Sequence, residues 1–149
     1  MKKSSLLLCF ILAGHVSVQA NPITGITISL PANPDAATLV VSEEDLTKPA
    51  TFRWTPLVPR PKDPVTYRVR VWQLMQGQSG AQAMKANQPI ITKDVDNLTQ
   101  LTVPKVITGP CRPPYLCDFV WNVQALNREG KPIGASNGVS IAGRITARK

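Results

Sequence analysis

The chain has 149 residues, with 17 Lys and Arg against 9 Asp and Glu for a formal charge of +8, and it carries one histidine and 14 prolines. That length suits a single domain of ordinary size. The proline content is about twice the usual ~5%, which disfavours a helix-rich fold, because proline breaks helix interiors and is excluded from the middle of sheets, so it collects between strands.

The first twenty residues read as a secretory signal peptide. Lys2 and Lys3 form a basic start, residues 6–14 an apolar run, and Val18-Gln19-Ala20 a small-residue cleavage pattern. A run of about nine residues is far short of the ~20 that cross a bilayer, so no transmembrane segment is expected in the mature chain, residues 21–149. Cys9 lies inside the run and not just after a cleavage point, which gives no support to a lipid-anchored form. Removing the peptide takes away His15, the only imidazole, and lowers the formal charge from +8 to +6 through the loss of Lys2 and Lys3. Cys111 and Cys117 stay as an even pair in a secreted or periplasmic chain, where oxidation is allowed.

Along the mature chain, residues 25–30 (GITISL) form a short β-branched strand, expected at a sheet edge, and residues 38–41 a second. Residues 50–56 (ATFRWTP) place Phe52 and Trp54 on one face, predicted to be core, and Thr51, Arg53 and Thr55 on the other. Pro56, Pro59, Pro61 and Pro64 make a stiff connection that includes Arg60 and Lys62. Residues 65–74 carry the strongest alternation: Val65, Tyr67, Val69 and Val71 face one way and Arg68, Arg70 and Trp72 the other, so a one-residue slip would bury two arginines.

The alternation breaks at residues 77–87, where Ser79 suits the cap of one or two helical turns. Residues 89–95 and 99–103 read as strands separated by a turn at Asp96 and Asn97. Next comes the loop from Cys111 to Cys117, whose predicted disulfide is structural: five intervening residues with two prolines are not the close pair at a helix start that thiol redox chemistry uses.

The most regular stretch is 119–127, with Phe119, Trp121, Val123 and Ala125 on one side and Asn122 and Gln124 on the other. Arg128-Glu129-Gly130-Lys131 suits a hairpin with positive φ at Gly130. A last strand is expected over about 135–145, with irregularities at Gly138 and Gly143 and a frayed basic end from Arg144 to Lys149.

The segment 119–136 resembles the penultimate strand, turn and last-strand entry of a fibronectin type III domain, residues 51–56 resemble that family's second strand with its core tryptophan at Trp54, and residues 67–74 its third. The likeness spans about 50–142. It implies an all-β, immunoglobulin-like antiparallel β-sandwich of about seven strands and a binding, spacing or adhesion role. Phe119 stands where the family usually has tyrosine, and the segment 75–90 is longer than in compact members.

Catalysis has little to draw on. Without histidine in the mature chain there is no Ser-His or Cys-His pair and no His-containing zinc site. Glu43, Glu44, Asp45, Asp63, Asp94, Asp96, Asp118 and Glu129 nearly all fall at predicted turns, so a paired-acid hydrolase is the weakest reading. No cofactor is implied and no enzyme is expected.

The candidate partner-binding face is the outward row Arg68, Arg70 and Trp72, with Asn122 and Gln124 beside it. An exposed indole there would stack on a sugar or enter a protein partner, whereas a 75–90 segment folded over it would leave Trp72 buried. The basic charge favours an acidic partner at the cell envelope, a protein or an anionic glycan, over nucleic acid.

Overall fold

The computed structural model describes residues 25–30 and 38–149, so the expected signal peptide lies outside the described residues. These residues form eight strands, where about seven were expected, in two sheets. The strands are β1 (Ile26–Ser29), β2 (Leu39–Ser42), β3 (Ala50–Arg53), β4 (Thr66–Met75), β5 (Ile91–Asp96), β6 (Gln100–Val103), β7 (Tyr115–Leu126) and β8 (Gly143–Arg148), with one helix, α1 (Gly80–Ala86), between β4 and β5. One sheet has the order β1-β3-β6 and the other β2-β8-β7-β4-β5. Most pairings are antiparallel, but β1 runs parallel to β3 and β2 parallel to β8, so the sandwich is not purely antiparallel.

Period-2 patterning sets the interior. Ile28 and Phe52 from the small sheet meet Val69, Val71, Phe119, Trp121, Val123 and Ile145 from the large one, all buried. Phe52 packs edge-on against Trp121 with ring centres 4.8 Å apart, and Trp54 lies 5.7 Å from Tyr67. Such aromatic pairs add about 0.5–1.5 kcal/mol beyond the area they bury. Trp54, predicted as core, and Trp121 thus belong to the same interior cluster. At one end, the backbone carbonyl of Leu46 accepts from the N–H groups of Val106 and Ile107 and closes the sandwich there.

β5 and β6 are neighbours in sequence but belong to different sheets. Asn97, with φ 54°, turns the chain between them; its N–H donates to Val65, while the Trp54 N–H donates to Thr99. The Cys111–Cys117 disulfide is formed and bridges the approach to β7 with the first part of that strand, which begins at Tyr115 and not at 119.

The C-terminal expectation is corrected. Residues 135–142 are not strand: Ser136 and Asn137 have left-handed backbones, and the last strand runs from Gly143 to Arg148 in the interior of the sheet, between β2 and β7. Ile145 is fully buried there. Pairing on both sides, which no local pattern reveals, holds the basic end that was expected to fray.

Candidate binding surface

Pairing of β4 with β7 brings the five predicted surface residues together. Arg68 is the register partner of Gln124, and Arg70 of Asn122. Their polar groups, however, already have partners within the fold. Arg68 makes a two-pronged contact with Asp94 on β5, Nε to Oδ1 at 2.8 Å and Nη2 to Oδ2 at 3.0 Å. These charge-assisted bonds raise the Arg68 pKa and hold the Asp94 carboxyl below its ordinary value, against an opposing desolvation effect. Arg70 donates through Nη2 to Gln124 Oε1 at 3.1 Å, and Gln124 donates in turn to the Asn137 carbonyl. Asn122 is buried, with Nδ2 3.6 Å from the Met84 sulfur.

Trp72 is not the exposed stacking residue that the face required. Only 4% of it is accessible, because α1 lies across it and packs Ala83 and Met84 against Trp72, Leu74 and Val120. The helix is held by a capping box in which the Ser79 hydroxyl accepts from the Gln82 N–H and Gln82 Oε1 accepts from the Ser79 N–H. Arg70 sits 5.5 Å from the Trp72 ring centre, so the indole's cation–π capacity is also engaged. The five residues form a cross-braced patch with its apolar member covered.

Five of the carboxylates have neighbours of their own, Glu44 among them through Lys48 at 3.0 Å. Asp45 bonds Ser42 and Lys48, Asp94 bonds Arg68, Asp96 accepts from Thr66, and Asp118 accepts from Thr146. Among the described residues no group of three or more His, Cys, Asp or Glu is placed to hold a metal ion, and no helix is long and apolar enough to cross a membrane.

A different surface carries three of the six exposed large apolar residues among the described ones, while Val40, Ile90 and Tyr115 lie away from it. The ends of β1 and β3, the starts of β4 and β6, and the ends of β5 and β7 bring Leu30 and the loops 54–65, 97–99 and 127–142 to one pole of the sandwich. Val58 is 90% exposed there, Leu98 60% and Ile141 42%. Three clefts of about 510, 300 and 400 Å³ open around loop 54–65. The largest has Trp54, Tyr67, Val123 and Ala125 as its floor and Val58 and Ile141 among its lining residues.

Local bonds fix these loops. The Leu57 N–H donates to the Tyr67 hydroxyl at 3.2 Å, and Asn127 Oδ1 accepts from the N–H groups of Glu129 and Lys131. Gly130 has φ 75°, as expected for the hairpin. Gly134, at φ 95°, packs so closely on Leu57 that an added Cβ would stand 3.0 Å from its side chain. Sequence reasoning treated 56–64 as a connector and passed over Val58, Leu98 and Ile141. The available signal was one or two apolar residues set among turn-forming ones, as in Pro56-Leu57-Val58-Pro59 and Asn97-Leu98-Thr99.

Comparison of the chain with protein-family models, with curated proteins and with solved structures gives no significant match.

Proposed function

We propose that the chain is an exported, non-catalytic binding module, immunoglobulin-like and of the fibronectin type III kind, that recognises a protein partner at the cell envelope through its loop pole. The observation that carries this reading is the exposure of Val58, Leu98 and Ile141 around pre-formed clefts. Clustered apolar exposure of this kind marks interaction surfaces, and a rigid β scaffold presenting loops at one end is well suited to binding. A glycan partner drew its main support from an open Trp72, which α1 covers, so a protein is favoured.

The test is capture of envelope proteins by the full exported chain. Val58→Asp and Ile141→Asp are expected to abolish capture, while Arg70→Ala on the sheet face retains it. Capture that survives both pole substitutions, or is lost with Arg70→Ala, would overturn the reading.

Assembly through an edge strand is the second reading. It is supported at β1, which pairs only with β3 among the described residues and has no charged side chain in Ile26–Ser29 to deter strand addition. It draws no support from the C-terminal strand, because β8 is interior to its sheet. A chain that stays monomeric at high concentration and adds no strand from a partner would exclude it.

A further inference from the structure

We infer that the loop pole takes an extended acidic protein segment, which inserts one large apolar side chain into the 510 Å³ slot between residues 54–58 and 134–141. This names the chemistry of the partner and rests on the reading of the pole as the recognition surface.

Three observations converge on it. The slot is open and largely apolar, with exposed Val58 and Ile141 among its lining residues, which suits an apolar anchor.

Its lining also contains an uncommitted hydrogen-bond donor. The Tyr67 hydroxyl accepts from Leu57 N–H, and among the described hydrogen bonds its own hydrogen is not donated. A buried donor without a partner is costly, so the site favours a guest that brings an acceptor, such as a backbone carbonyl or a carboxylate.

Charge supplies the third. Loops 55–64 and 127–142 carry Arg60, Lys62, Arg128 and Lys131 against Asp63 and Glu129. None of these cations belongs to an ion pair among the described residues, where the paired cations are Lys48 and Arg68. Arg60 and Lys62 are exposed and follow Val58 in the same loop. Carboxylates flanking the inserted side chain would meet them, and the attraction between such exposed charges weakens with salt.

The experiment is panning of a random linear peptide library on the full, disulfide-intact chain, followed by affinity measurement on the enriched peptides. The expected winners carry one large apolar residue flanked by Asp or Glu and bind more weakly as salt rises. Val58→Asp should reduce their affinity by about tenfold or more, as for a central anchor contact. The double charge reversal Arg60→Glu with Lys62→Glu leaves the core untouched and should shift the preference away from acidic peptides.

Enrichment of basic or purely polar sequences, no enrichment at all, or equal binding to Val58→Asp would overturn the inference. If the pole substitutions abolish envelope capture while panning yields no acidic apolar motif, the pole remains the recognition surface and only the acidic partner is wrong. If neither experiment responds to the pole, both readings fall.

Discussion

Gly143 of β8 lies directly against the Trp121 indole of β7. The two are register partners, and a Cβ at position 143 would overlap Trp121 Nε1 and stand 2.9 Å from Cε2. Trp121 is fully buried and packs on Phe52, so it has no room to retreat. The glycine predicted as a strand irregularity is instead a point of close backbone approach. Gly143→Ala should lower the unfolding free energy by about 1–3 kcal/mol through overpacking. Urea denaturation checks this, and an unchanged midpoint would contradict the contact.

The cover over Trp72 makes it a stability residue. Trp72→Ala should cost about 3–5 kcal/mol, as for other large aromatic truncations in cores. Ser79→Ala, which removes one half of the α1 capping box, should cost about 1 kcal/mol. Thermal or denaturant melts of both variants supply the comparison; a Trp72→Ala chain as stable as the parent would mean that α1 does not seal the indole.

Acid should weaken the Arg68–Asp94 pair in a defined window. The Asp94 carboxyl is held below its ordinary 3.8, first by the hydrogen bonds from Arg68. A depressed folded-state pKa means that the contribution is fully present above the unfolded value and is lost as pH falls through the folded one, that is, below about 3.8. Both side chains are more than a third exposed, which limits the pair to about 0.2–1 kcal/mol. Asp94→Asn should therefore lower stability slightly at neutral pH and flatten this part of the acid limb. An unaltered acid limb would show that the pair does not contribute.

The interior position of β8 predicts slow exchange where the end of the chain would otherwise fray. The Ile145 amide should be among the protected ones in hydrogen-exchange measurements, with stability near the global value. Exchange as fast as in an unstructured tail would refute the β2-β8-β7 order.

Opening the disulfide with Cys111→Ser and Cys117→Ser should lower stability by about 2.4 kcal/mol in the loop-entropy expression for a seven-residue loop. Equilibrium unfolding with and without reductant gives the value. A loss close to zero would mean that the loop is already held by its other contacts, such as the Gln73 side chain donating to the Leu116 carbonyl.

Short-range chemistry made much of this architecture readable from the residues alone. Alternation in 65–74 and 119–127 fixed which side chains face inward, Ser79 marked the helix start, Gly130 the hairpin, and the even cysteine pair the disulfide. Those signals depend on a few adjacent residues and a backbone period. What covers an outward face, and which sheet a strand joins, depend on partners far along the chain. Trp72 and Arg70 share one alternating row, yet one is sealed under α1 and the other half-exposed. β5 and β6 follow each other and separate into opposite sheets, and β8 gains neighbours on both sides. The loop pole is the extreme case: Val58, Leu98 and Ile141 are isolated in sequence, and only the return of three loops to one end of the sandwich makes them a surface. Periodicity reports the polarity of a face, but pairing across long chain separations determines whether that face meets water, a helix or another strand.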